Sequence, residues 1–129
     1  IPRAPPELYP ALLVGRVLFV SETGMEEGQR LLRHCPDNIP LVACDPRGRD
    51  TSSEAMAKLL ARLRDSGMTS ACFAIGGADG HSQELLERAE ARIAFGSATW
   101  PHMLFRAMLA EQLYRATMIL AGHPYHRGN

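Results

Sequence analysis

Five apolar residues in unbroken succession, Ala71-Cys72-Phe73-Ala74-Ile75, run directly into Gly76 and Gly77, with Gly80 three residues further on. A strand with one wet face alternates polar and apolar residues. A continuous run of this length belongs to a strand covered on both faces, as in parallel sheets flanked by helices. Glycine loses the most backbone freedom on folding, so three in five residues mark a tight turn or a ligand pressed against the chain. A dinucleotide loop would need G-x-G-x-x-G, but Ala78 and His81 stand in two of its glycine positions. No Gly-Lys-Ser/Thr follows either, which removes the Walker phosphate loop.

The rest of the chain repeats the alternation of strand and helix. Ala11 to Val20 reads as a strand weakened by Gly15, and Met25 to His34 as a short helix ended by Pro36. Ile39 to Cys44 reads as a second strand, and Asp45 to Asp50 as a polar turn. Thr51 with Glu54 forms a capping box for a helix whose stripe is Met56, Leu59, Leu60 and Leu63. Gly67 suits its C-terminal end. After the glycine turn, a helix is expected from Ser82 to about Ala91 with Leu85, Leu86 and Ala89 inward. Ile93 to Phe95 fits a short strand, and Gly96 to His102 a loop. The longest helix then starts at Pro101 and runs to about Leu120. Its apolar face, from Leu104 and Phe105 to Ile119 and Leu120, is wide enough for the sheet and a second subunit. The expected class is α/β with a mainly parallel sheet and helices on both faces, in one domain spanning 1–129.

Charge and cysteine content narrow the function. Fourteen basic and fourteen acidic residues balance, so the whole chain exerts no strong pull toward nucleic acid or membrane. From Pro101 onward, Arg106, Arg115 and Arg127 face the single acid Glu111, a modest basic patch that suits a polyanion or a solvated helix face. Three cysteines without C-x-x-C argue against a disulfide framework and a structural zinc. Cys44 and Cys72 read as small buried residues, which suits a reducing compartment. The longest apolar run, Ala11 to Val20, is too short for a membrane span and is broken by Arg16. IPRAPPELYP, with four prolines in ten residues, is neither helix nor central strand.

Ligands of open parallel sheets bind beyond the carboxyl ends of the strands. Three loops leave such ends: Asp45 to Asp50, Gly76 to Gly80, and Gly96 to Trp100. Their backbone N–H groups suit an adenine edge or a carboxylate. His123-Pro124-Tyr125-His126 offers two histidines, too few ligands for zinc, and no metal is expected. A Ser/His/Asp hydrolase through Ser82 or Ser97 lacks the G-x-S-x-G elbow. The tail suits RNA instead: Tyr125 can stack on a base while Arg127 and the histidines meet phosphate.

Four blocks carry a resemblance. They are Ile75-Gly76-Gly77-Ala78-Asp79-Gly80-His81, Thr99-Trp100-Pro101-His102, Leu109-Ala110-Glu111-Gln112-Leu113-Tyr114-Arg115-Ala116, and Gly122-His123-Pro124-Tyr125-His126-Arg127. In this order and spacing, the stretch from about Leu41 to Arg127 resembles the RlmH family, SPOUT-class methyltransferases of 23S rRNA. The resemblance implies an S-adenosylmethionine-dependent enzyme methylating N3 of a pseudouridine in 23S rRNA. It also implies a cytoplasmic homodimer with a C-terminal trefoil knot, which sequence physics would not suggest. Cofactor contacts are then expected at Cys44, Gly76, Gly77, Phe95, Gly96, Ser97, Ala98, Thr99 and Trp100. His102, Arg106, Tyr125, His126 and Arg127 become the candidates for holding RNA and polarising the base, with no single general base among them.

Departures are local. The family's N-terminal strand and helix are not recognisable in residues 1–30. Ala98 stands where the family usually has Met, and Cys44 where it has a Leu-like residue, which implies looser cofactor packing. Two other readings share the fold: a SPOUT enzyme with another target such as a tRNA ribose, and a cofactor-free module for RNA binding or dimerisation.

Overall fold

The computed structural model describes residues 16–21, 35, 37–76 and 81–125. The proline-rich start, the helix expected at Met25 to His34, Gly77 to Gly80, and His126 and Arg127 lie outside the described residues. The described residues form four strands and three helices, in the order β1 (Arg16–Ser21), β2 (Leu41–Asp50), α1 (Ser53–Asp65), β3 (Ser70–Ile75), α2 (Gln83–Arg88), β4 (Ala91–Ala94) and α3 (His102–Leu120). The strands form one sheet in the order β1-β3-β2-β4, and every pair is parallel. The α/β class is therefore borne out.

Alternation along the two central strands sorts the core into two layers. Val42, Cys44, Ala71, Phe73 and Ile75 point to one face, where they meet Met56, Leu60 and Leu63 of α1 and Phe105, Leu109 and Leu113 of α3. Leu41, Ala43, Cys72 and Ala74 point to the other, beneath Leu85 and Leu86 of α2. Both faces are covered, which accounts for the unbroken apolar run at 71–75. The hydroxyl of Ser53 donates to Gln112 Oε1 at 2.6 Å and ties α1 to α3.

Several local expectations are corrected. Asp45 to Asp50 is no turn: Pro46 and Gly48 favour one locally, but Arg49 and Asp50 pair with Ile93 and Ala94 of β4. Cys44 and Arg49 both oppose Ile93, so residues 45–48 form an excursion inside a continuing strand. Gly48 makes this possible, since a Cβ there would lie 2.8–2.9 Å from the backbone of Arg92 and Ile93. The helix cap is Ser52 rather than Thr51. Ala55 N–H donates to Ser52 Oγ at 3.1 Å, whereas Thr51 gives its hydroxyl to the Arg49 carbonyl and its N–H to that of Ala94. Glu54 therefore does not occupy the capping-box position. Gly67 ends α1 as expected, with φ +82°.

α2 stops at Arg88 because Glu90 N–H turns back to the Leu41 carbonyl at 2.8 Å, and β4 begins at Ala91 rather than Ile93. On α3, Leu104 faces outward while Met118 is buried. The argument against disulfides is also corrected. Cys35 and Cys72 are joined by one, their Cα atoms 6.5 Å apart, on the α2 side of the sheet. They are separated by 37 residues, so no short spacing motif announces the pair. Cys44 is the free, buried cysteine, and the cysteine content no longer speaks for a reducing compartment.

Candidate functional site

The carboxyl ends of β3 and β4 and the start of the mid-strand excursion of β2 converge on a cleft of about 370 Å³. Cys44 and Pro46 contribute from β2, Ile75 and Gly76 from β3, and Ala94 from β4; the loop after β4 and the first turn of α3 close it. Apolar side chains form most of the wall, and the chain's bends bring backbone groups to the edges.

Two histidines anchor the backbone at the end of β3. His81 is buried, and its Nε2 lies 3.0 Å from the Ala74 carbonyl and 3.1 Å from the Cys44 carbonyl. Both partners are acceptors, so Nε2 carries the proton and donates to β2 and β3 together. A Cβ on Gly76 would come within 3.1 Å of this ring. Gly76 therefore fits tightly against the His81 ring, and a larger side chain there would have to displace it. His102, at the start of α3, donates from Nε2 to the Gly76 carbonyl at 2.6 Å.

The loop after β4 is held as tightly. Gly96 has φ +79°, and its N–H donates to Asp50 Oδ1 at 2.8 Å. The indole N–H of Trp100 donates to the Phe95 carbonyl at 3.0 Å and closes the loop on itself. Phe95 stacks on Phe105 with ring centroids 5.1 Å apart. Between the lining residues Cys44 and Pro46, the buried carboxylate of Asp45 accepts from the backbone N–H and guanidinium of Arg47 at 2.8–3.0 Å. Hydrogen bonding to Arg47 holds the Asp45 carboxyl at about 2, below the usual carboxylate value. Burial pushes the Cys44 thiol well up, so it is a neutral part of the wall rather than a nucleophile.

Of the residues singled out in the sequence, Cys44, Gly76, Phe95, Gly96, Ala98, Thr99, Trp100 and His102 line this cleft. Ser97 is exposed and does not line it. Arg106 lies on the exposed side of α3. Tyr125 is at the far end of that helix, its ring edge-on to Tyr114 at 5.0 Å and beneath the Arg115 guanidinium at 4.9 Å. Its hydroxyl donates to Glu111 Oε1 at 3.3 Å, and Arg115 binds the same carboxylate at 2.6 Å. The C-terminal basic patch is therefore partly neutralised by its own acid. Sequence reasoning missed Pro46, Ile75, Ala94, Pro101 and Phe105 as lining residues. Ile75 and Ala94 are the last residues of their strands, so the strand-end rule could have found them. Among the described residues, no three His, Cys, Asp or Glu side chains are grouped to hold a metal, and no helix is long and apolar enough to cross a membrane.

The ends of β3 and β4 and a self-closed loop thus enclose a mainly apolar cleft of small-molecule size. Comparison of the sequence with known families refines this. The family described as "Predicted SPOUT methyltransferase" matches residues 20–126, so this chain belongs to the SPOUT methyltransferases. The match begins well before Leu41, where the motif resemblance starts. Three relatives each carry the name "Ribosomal RNA large subunit methyltransferase H". That of Nitrobacter hamburgensis is 53% identical over 103 residues, 80% of this chain and 64% of its own length. That of Novosphingobium aromaticivorans is 63% identical over 94 residues, 73% of this chain and 65% of its own. That of Paramagnetospirillum magneticum is 46% identical over 124 residues, 96% of this chain and 82% of its own. The chain thus spans slightly under two thirds of the first two relatives. The resemblance to RlmH proteins is borne out.

Proposed function

We propose that this chain carries the catalytic fold of an S-adenosylmethionine-dependent methyltransferase acting on N3 of a pseudouridine in 23S rRNA of the large ribosomal subunit. The observation that carries the reading is the cleft at the ends of β3 and β4 beside the excursion of β2, in a chain of this family. Its volume falls in the roughly 300–1,000 Å³ range of small-molecule sites. The residues present suit the cofactor. Ile75, Phe95 and Phe105 offer apolar surface for an adenine ring, and the bend at Gly96, where a Cβ would meet open space, leaves room for a ligand against the main chain. We assign cofactor contacts to Cys44, Gly76, Phe95, Gly96, Ala98, Thr99 and Trp100, with Gly77 and Ser97 as flanking members. When bound, S-adenosylmethionine supplies a methyl group on a sulfonium that is its own leaving group.

The protein's own task is alignment and charge. A neutral imide nitrogen is a poor nucleophile, so the N3 proton must leave, and nearby cations favour the resulting anion. Arg106, Tyr125, His126 and Arg127 are the proposed RNA-holding and base-polarising groups. We assign His102 to positioning, because its Nε2 proton is engaged by the Gly76 carbonyl. The exposed side chains of Met103 (77%) and Leu104 (47%) beside the cleft support a homodimer. The C-terminal trefoil knot and the cytoplasmic site of action belong to the same proposal, the latter resting on the rRNA substrate.

Calorimetric titration with S-adenosylhomocysteine, followed by methyl transfer to large subunits lacking the modification, tests the reading. Saturable binding and transfer to a pseudouridine are expected. A folded protein that binds no S-adenosylhomocysteine would refute it.

A further inference from the structure

A second depression, of about 760 Å³, runs along β4, an edge strand of the described sheet. Its walls are the second half of β2 and the exposed side of α1. It is lined by five cations, Arg47, Arg49, Lys58, Arg62 and Arg92, against two carboxylates, Glu54 and Glu90. The whole chain is balanced at fourteen basic and fourteen acidic residues, so this is a local concentration of positive charge.

Two of the cations have work within the protein. Arg47 binds Asp45, and Arg92 donates from Nε and Nη2 to the Leu86 carbonyl at 3.3 and 3.0 Å. Arg49, Lys58 and Arg62 have exposed side chains with no hydrogen bond or ion pair among the described residues. Lys58 and Arg62 stand one turn apart on α1, where like charges cost a few tenths of a kcal/mol. The N-terminal end of α1 opens on the same groove through Ser52 and Ala55 and adds partial positive charge.

The groove shares a wall with the candidate cofactor cleft. Pro46 lines the cleft, while Arg47, Gly48 and Arg49 line the groove. Gly48 lies against the β4 backbone with no room for a Cβ, and Asp50 holds the N–H of Gly96 in the cleft loop. A polymer lying in the groove would therefore pass beside the cleft. Protein interfaces are anchored on buried aromatic and large apolar side chains. The exposed ones among the described residues, Trp100, Met103, Leu104 and Tyr125, all lie outside the groove. Cations without a stacking platform suit backbone phosphates rather than bases.

We propose that this groove binds the ribose-phosphate backbone of the RNA whose base enters the neighbouring cleft, an inference that rests on the methyltransferase reading above. The test is the variant Arg49→Gln/Lys58→Gln/Arg62→Gln, with fluorescence anisotropy of labelled, transcribed large-subunit rRNA across ~50–200 mM salt. Each phosphate contact contributes about 0.7–0.9 to the slope of log affinity against log salt. The triple variant should therefore lose roughly two to three units of slope and about tenfold or more in affinity. Its melting temperature and S-adenosylhomocysteine affinity should stay at the wild-type values. Lys58→Gln and Arg62→Gln alone, each lowering the slope by about one, serve if the triple variant melts early.

Unchanged RNA affinity and slope, in a protein that still methylates RNA, would overturn the groove and leave the methyltransferase reading intact. Wild-type protein that neither binds nor methylates RNA would overturn both. A change of oligomeric state in the variant would make the groove an interface between copies and overturn the RNA assignment.

Discussion

Gly76 shows how one missing side chain shapes the site. The His81 ring crowds the space a Cβ would need, and it is held there by two strand carbonyls. Gly76→Val should push the ring off both carbonyls and destabilise the fold by about 1–3 kcal/mol. It should also weaken S-adenosylhomocysteine binding; urea unfolding and calorimetry on the same variant read both effects. Asp45 makes a pH-dependent contribution. Its carboxyl titrates at about 2 in the folded state, below its ordinary value near 3.9 when unfolded. Its stabilisation is therefore complete above about pH 4 and is lost as pH falls through about 2. With the Arg47 partner largely exposed, the effect should be ~1–2 kcal/mol. Urea midpoints of wild type and Asp45→Asn should differ at pH 6 and converge toward ~pH 2.

At the scale of elements, helix ends carry more information than helix bodies. The cap of α1 is Ser52, one residue later than local pattern suggests, because Thr51 is committed to the end of the β2–β4 pairing. Ser52→Ala should cost about 1 kcal/mol, and Thr51→Ser, which keeps the hydroxyl, much less. Thermal unfolding of the two variants distinguishes the caps. At the other end of the molecule, Glu111 gathers Arg115 and the Tyr125 hydroxyl. Glu111→Ala should release Tyr125 from α3 and speed proteolytic trimming of the segment after Gly122, while leaving cofactor affinity unchanged. Unaltered cleavage kinetics would show that the aromatic contact with Tyr114 is sufficient.

For the whole molecule, the sheet brings together what the chain separates. Cys44, Gly76 and Phe95 are neighbours only because parallel pairing sets Cys44, where β2 begins its excursion, beside the ends of β3 and β4, and all three line one cleft. The same topology makes β4 an edge strand of the described sheet and gathers cations from β2, α1 and β4 along it. This clustering was invisible to a charge count, which found balance over the chain and a surplus only after Pro101. Sedimentation of the purified chain should give a dimer if the exposed Met103 and Leu104 mark an interface. Met103→Glu/Leu104→Glu should then give a monomer that keeps its fold.

Periodicity made the elements legible. The apolar run at 71–75 announced a doubly covered strand, the stripe from Met56 to Leu63 a helix, and Gly67 and Gly122 their stops, because these signals are local in backbone and solvent preference. The motif blocks likewise carried the family, since they place specific side chains at specific distances along the chain. Pairing between distant segments left no such trace. Whether Asp45 to Asp50 turns or continues depended on a partner strand some forty residues away, and the Cys35–Cys72 bond on packing across the sheet. The tight fit at Gly76 came from the ring of His81, and the basic groove from cations on three elements. Contacts of this kind are made by folding, and their energies depend on distances in space that no spacing along the chain records.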